Sequence, residues 1–167
     1  MKKIVMIIAF EMFRDEEYIY PKEVFEKAGI EVTTASSKVG TATGKLGMKA
    51  KVDVSLKDLK VSDHDAVVFI GGPGSFNYYD NPTCHKIAQE TVKAGKILAA
   101  ICAAPGILAK AGVLKGKKAT MFDDTGVLGE NGATYTGKGV EIDGKIITAT
   151  GPSTAKAWGE AIVKALS

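Results

Sequence analysis

The chain predicts an α/β fold: a mostly parallel sheet with helices on both faces. Short apolar runs alternate with helical stretches from one end of the sequence to the other. Runs such as Ala66-Val67-Val68-Phe69-Ile70 are apolar without interruption, as strands covered on both faces must be. Glycine and proline punctuate the ends of these runs, and no linker or repeat divides the chain.

Residues 3–9 form the first strand, and Asp15 to Lys27 a helix that stops at Gly29. Residues 30–35 give a second strand, Gly40 to Gly47 a hairpin or excursion, and residues 48–54 an extended segment. Asp65 to Ile70 is a buried strand running into Gly71-Gly72-Pro73-Gly74. Asn81-Pro82-Thr83 opens a helix with proline at its first position, reaching about Lys93. Residues 96–101 form a strand, 103–112 its helix, and 118–122 a further strand. Asp143-Gly144 joins two extended runs as a hairpin turn, and Pro152 to Leu166 closes the chain as an amphipathic helix.

A length of 167 residues fits one domain, residues 1–167, and 46% apolar with 25% charged residues is an ordinary globular composition. The net charge of +3 is spread along the chain. Its densest basic group, Lys115, Lys117 and Lys118, reads as a solvated loop, so no nucleic-acid partner is expected. The apolar start ends at Glu11 with no small-residue cleavage site, so it reads as a strand rather than a signal peptide. No stretch approaches the roughly 20 apolar residues a membrane helix needs, so no membrane partner is expected. Two cysteines without CxxC spacing fit free thiols in a reducing cytoplasm.

The chemistry centres on Cys102, where an apolar strand gives way to a helix. Ala100 and Ala104 stand two residues before and after it, the small residues a nucleophile elbow needs to close its turn. Helix N–H groups behind the sulfur favour a thiolate over a thiol. An oxyanion beside that sulfur needs main-chain donors, and Ala103 and Gly72 are placed to supply them, with Gly71 alongside. The Gly71–Gly74 run lacks both the Gly-Lys-Ser/Thr ending of a P-loop and the third glycine of a dinucleotide fingerprint.

Cys84 is the rival thiol. It lies in the first turn of what reads as a surface helix, beside His85, and no strand delivers it. Cys84 and His85 point about 100° apart on a helix, with no further ligand at metal spacing, so no metal site is expected. His64 reads as a solvated turn residue, while His85 is either exposed or close to the site across the Gly71–Asn81 loop. No histidine follows Cys102, which excludes the downstream Cys…His order of class I glutamine amidotransferases. Glu16 and Glu17 follow the first strand at the same end of the sheet and are candidate proton carriers. Asp15, Glu16 and Glu17 also read simply as favourable charge at a helix N-terminus.

Taken together, Glu17-x-x-x-Pro21, Val67-Val68-Phe69-Ile70-Gly71-Gly72, Ala99-Ala100-Ile101-Cys102-Ala103-x-Pro105 and Gly151-Pro152-Ser153-Thr154 carry a resemblance to the ThiJ/PfpI superfamily over essentially the whole chain. The resemblance implies a flavodoxin-like, doubly wound fold and a cytoplasmic homodimer or higher homo-oligomer. It also implies a protonated Glu17 against the Cys102 sulfur, with Gly72 and Ala103 as amide donors. Activities described in the family include conversion of methylglyoxal to lactate without a cofactor, deglycation, peptidase and chaperone action, and oxidation sensing.

Two departures narrow the choice. PfpI-type peptidases carry histidine directly after the cysteine, and here that residue is Ala103. Deglycase-type members carry histidine after the strand that follows the elbow helix, and here Phe122 or Asp123 stands there. The expectation is a cofactor-free enzyme acting on small reactive carbonyls, with Cys102 and Glu17 catalytic and His85 and Asp123 as accessory candidates. A redox-sensing or chaperone-like dimer is the alternative, and an intracellular cysteine peptidase is third.

Overall fold

The structure is a computed structural model that describes residues 1–167. Its strands are β1 (Lys3–Ile7), β2 (Glu11–Phe13), β3 (Glu31–Ser36), β4 (Gly40–Gly44), β5 (Lys49–Val52), β6 (Val54–Ser55), β7 (Ala66–Phe69), β8 (Ile97–Ile101), β9 (Lys118–Ala119), β10 (Thr134–Tyr135), β11 (Val140–Asp143) and β12 (Ile146–Ala149). The helices are α1 (Asp15–Lys27), α2 (Pro82–Lys93), α3 (Pro105–Lys110), α4 (Val127–Glu130) and α5 (Ala155–Leu166). Seven strands make the main sheet in the order β11-β12-β8-β7-β1-β3-β6. Every pairing is parallel except the β11–β12 hairpin at the edge. This is the expected doubly wound, flavodoxin-like α/β architecture.

Alternation along the central strands divides two apolar layers. Val5, Ile7, Val67, Phe69, Leu98 and Ala100 face the layer under α2 and α3. Ile4, Met6, Val68, Ile70, Ala99 and Ile101 face the layer under α1 and α5, which holds Phe25 and Trp158. Trp158 is fully buried and donates its indole N–H to the Ile147 carbonyl at 3.1 Å, so a large ring enters the core with no orphaned donor. α1 and α5 cross tightly where Gly159 meets Pro21: a methyl group on Gly159 would lie 3.0 Å from Pro21 Cα.

Several expectations are corrected. The strand expected over 118–122 pairs only at Lys118–Ala119, with β10 in a separate two-stranded sheet. Beyond it Thr120 N–H turns to Thr148 Oγ1 and Phe122 N–H to the Cys102 carbonyl, which carries the chain to the site instead of along the sheet. The helix expected from 103 begins at Pro105, because Cys102 to Ala104 form a tight turn. The final helix starts at Ala155, after a 3-10 turn over Pro152–Thr154. The excursion is a true β4–β5 hairpin, joined on its other side by β2.

Cys84 is fully buried rather than on a surface, since α2 turns that face onto the sheet. His64 is also buried, its Nδ1 3.0 Å from the Lys60 carbonyl. Asp15 does more than decorate a helix start. Its carboxylate accepts from Leu46 N–H at 3.0 Å and Met48 N–H at 2.9 Å, fastening the β4–β5 turn to α1.

Candidate active site

The carboxyl ends of β7 and β8 and the start of α1 converge on one cavity of about 310 Å³. Glu17, Gly72, Cys102, Ala103 and Asp123 all line it, as do Arg14, Lys45, Phe76, Tyr79 and Phe122. Five sequence-derived candidates therefore meet in one place, where ligands bind in open parallel sheets, while Gly71, His85, Glu16 and the rival thiol Cys84 do not line it.

Cys102 holds φ at +63°, one of two non-glycine residues in the chain with positive φ. That conformation costs about 1–3 kcal/mol and has to be enforced by its surroundings. Two main-chain bonds contribute: Cys102 N–H donates to the Ala149 carbonyl at 2.9 Å, and its own carbonyl accepts from Phe122 N–H at 2.9 Å. The second bond also aims the next amide. In a trans peptide N–H and C=O point in opposite directions, so fixing the Cys102 carbonyl fixes Ala103 N–H. The same logic applies across the site, where Arg14 N–H holds the Gly71 carbonyl at 2.9 Å and so orients Gly72 N–H. Hydrogen bonding from both amides favours ionised sulfur.

Gly71 does not line the cavity but sets its packing. A methyl group there would lie 2.5 Å from Glu17 Oε1, 2.6 Å from the Ile101 carbonyl oxygen and 2.7 Å from Cys102 Cβ. Only glycine lets the acid and the cysteine approach from either side of this strand end. Glu17 is fully buried, and neither carboxyl oxygen makes a hydrogen bond of ordinary geometry. The adjacent Cys102 thiol and Gly71 amide nonetheless bear on its ionisation. Burial pushes Glu17 up to about 7, against the downward pull of Cys102, Arg14 and the Gly71 amide.

The thiol does not have the freely ionised character expected from the helix. Burial, then the charge of Glu17, pushes Cys102 up to about 12, while Ala103 and Gly72 pull it down. α3 spans only Pro105–Lys110, so its dipole is small and two aimed amides replace it. Acid and thiol titrate as a pair: losing a proton from either raises the other. The singly protonated pair has two forms, carboxylate with thiol and carboxylic acid with thiolate. They carry equal charge, and the two amides favour the second.

Asp123 is exposed at the cavity mouth. His85 stays outside the cavity, with Nε2 2.6 Å from the Tyr79 carbonyl. Arg14 is tied to Glu16 by Nε–Oε1 at 2.7 Å, so Glu16 faces the arginine. Sequence reasoning missed Tyr79, a wall of the cavity, because a Tyr-Tyr pair in a loop carries no motif. Cys84 lies apart from the cavity, and burial pushes its thiol up to about 12.

Among proteins of known sequence, the DJ-1/PfpI family model matches residues 2–165. The chain is 35% identical to the deglycase PfpI of Pyrococcus furiosus, covering 98% of this chain and 99% of that protein. It is 28% identical to the glutathione-independent glyoxalase DJR-1.2 of Caenorhabditis elegans, covering 99% and 89% respectively. The solved ThiJ/PfpI domain protein of Brachyspira murdochii superposes with a TM-score of 0.96 at 32% identity, covering 98% of this chain and 95% of that one. No helix here is long and apolar enough to cross a membrane.

Proposed function

The chain belongs to the DJ-1/PfpI family, and from that premise we propose that it is a cysteine-dependent enzyme acting on small reactive carbonyls such as methylglyoxal. The observation that carries this reading is the strained Cys102 on a cavity wall, with a buried, elevated-pKa Glu17 beside it and two oriented amides facing the sulfur. Relatives named deglycase and glyoxalase support the reaction class.

The acid–thiolate form of the pair starts the reaction. Sulfur adds to the aldehyde carbon, and the carbonyl π electrons move to oxygen, where Gly72 and Ala103 N–H groups stabilise the charge. Glu17 gives its proton to that oxygen, leaving a hemithioacetal and a carboxylate. The carboxylate then removes the hydrogen from the sulfur-bearing carbon to give an enediol, the hydroxyl proton passes from the first oxygen to the second, and Glu17 returns its proton to the neighbouring carbon. The product is a thioester of lactate. Water attacks its carbonyl, the carbon–sulfur bond breaks, lactate leaves, and the pair regains its single proton.

The test is methylglyoxal consumption with lactate formation by purified protein. Cys102→Ser and Glu17→Gln each abolish it, and retention of activity without Cys102 sinks the reading. A second reading, a redox sensor, draws on one observation: no histidine lines the cavity to pair with Cys102. Mild peroxide followed by mass analysis separates the two. Selective oxidation of Cys102 without carbonyl turnover favours sensing.

A further inference from the structure

Tyr79 makes the single side-chain hydrogen bond to the main chain of the Cys102 elbow. Its hydroxyl donates to the Ala103 carbonyl at 2.6 Å, while every other hydrogen bond to main-chain atoms of residues 101–104 comes from main-chain groups. Tyr79 is held through both its ring and its main chain. It fills the space opened by Gly106, where a methyl group would overlap the phenol. It packs against Phe76 with ring centroids 5.0 Å apart, and His85 Nε2 sits 2.6 Å from the Tyr79 carbonyl.

The position of Tyr79 in the chain gives this clamp its meaning. Gly72, one amide donor, is the first residue of the segment that ends at Tyr79, through a 3-10 turn over Pro73–Tyr78. Ala103, the other donor, follows β8. The two donors belong to different strands, and the 72–79 segment straps them together, anchored at one end by Gly72 itself and at the other by the Tyr79–Ala103 bond. Burial pushes the Tyr79 hydroxyl up to about 12, so it remains a proton donor to Ala103 across the working range.

We propose that Tyr79 is a positioning residue that, seated against Gly106 and bonded to the Ala103 carbonyl, holds Cys102 in its left-handed conformation and its sulfur between the two amides. The proposal rests on the reading of Cys102 as the nucleophile. Without the tie, the elbow relaxes toward negative φ and the sulfur leaves the donors. Tyr79→Phe is a mild probe, because the Ala103 carbonyl keeps its bond from Gly106 N–H at 3.2 Å and is not orphaned.

The experiment measures the rate of Cys102 alkylation by iodoacetamide across pH 5–10, with kcat and KM for methylglyoxal and the melting temperature, for wild type, Tyr79→Phe, Gly106→Ala and the double variant. Expected for Tyr79→Phe is a tenfold or greater fall in alkylation rate near neutral pH and in kcat. KM stays within twofold, and the melting temperature is little changed. Gly106→Ala gives the same alkylation phenotype by displacing the ring. The double variant falls within threefold of the single ones, since both remove one tie; independent effects multiply to about a hundredfold. A wild-type alkylation profile in Tyr79→Phe, or multiplying losses in the double variant, overturns the proposal. Alkylation needs no natural substrate, so an inactive wild type whose alkylation still depends on Tyr79 faults the carbonyl chemistry and leaves the clamp standing.

Discussion

Glu17 and Cys102 meet across Gly71, whose missing side chain is the space they share: Glu17 Oε1 and Cys102 Cβ lie 2.5 and 2.7 Å from where a methyl group would be. Gly71 has a negative φ, so its requirement for glycine is steric and not conformational. Gly71→Ala therefore forces acid and cysteine apart while leaving the backbone's preferences satisfied. Overpacking at such a site costs about 1–3 kcal/mol. The expected outcome is a folded protein with a lowered melting temperature and methylglyoxal turnover reduced at least a hundredfold. Near-normal turnover shows that the acid need not touch the cysteine.

Asp15 gives a stability prediction independent of the chemistry. Its carboxylate satisfies two amides of the β4–β5 turn and presses against Gly44. Asp15→Ala removes two charge-assisted hydrogen bonds, a loss of about 2–4 kcal/mol. Denaturant unfolding measures that loss, and limited proteolysis locates it, with new cleavage expected around residues 44–48.

The main sheet was legible because its central strands are apolar on both faces, which leaves β1, β7 and β8 no other place to sit. That Cys102, Gly72 and the Glu16–Glu17 pair share one end of the sheet was legible for the same reason, whereas the choice of Glu17 over Glu16 came from the family resemblance. Elements set by tertiary contacts were not. The strap over Pro73–Tyr78 has no period of its own, and residues 120–122 have strand-like composition but are drawn off by Thr148 and Cys102. Cys84 was misjudged through its neighbour His85, although adjacent helical residues face different directions. The seat of Tyr79 against Gly106 joins residues that nothing in the sequence links.

Cys84 tests selectivity. It is fully buried and does not line the cavity, and its thiol is pushed up by burial alone. Cys84→Ser is expected to keep methylglyoxal turnover within twofold of wild type. Native protein labelled with iodoacetamide is modified at Cys102 and spared at Cys84, whereas denatured protein is labelled at both. Peptide mass mapping reads the outcome, and native labelling of Cys84 contradicts the assignment.

Burial of Glu17 also costs stability, in a definite pH window. Its folded pKa is raised from 4.5 to about 7, so the folded state binds more protons than the unfolded state between those values. Stability is therefore at its full value below 4.5, where the acid is protonated in both states, and is lost as pH rises through about 7. Its size follows from the shift at 1.36 kcal/mol per unit, roughly 3 kcal/mol. Glu17→Gln has no such proton to lose. Between pH 5 and 8 the stability of wild type relative to Glu17→Gln is expected to fall by about 2–3 kcal/mol in urea titrations, and a constant difference contradicts a buried acid.

The reactivity of Cys102 should follow the pair and not the thiol alone. Below about 7 the pair holds two protons and the sulfur is a thiol. Loss of the first proton gives the two singly protonated forms, one with the thiolate, and their ratio does not change with pH because their charge is the same. Alkylation of wild type is therefore expected to rise with an inflection near pH 7, then level off. A second rise comes only in strongly alkaline solution, since burial and the Glu17 charge push the remaining ionisation up to about 12. Glu17→Gln removes the acid that shares the proton. Its profile loses the neutral inflection and keeps a single alkaline one, placed below the second wild-type step because the carboxylate charge is gone while the burial remains. An unchanged inflection near pH 7 in Glu17→Gln would mean that some other group governs the sulfur.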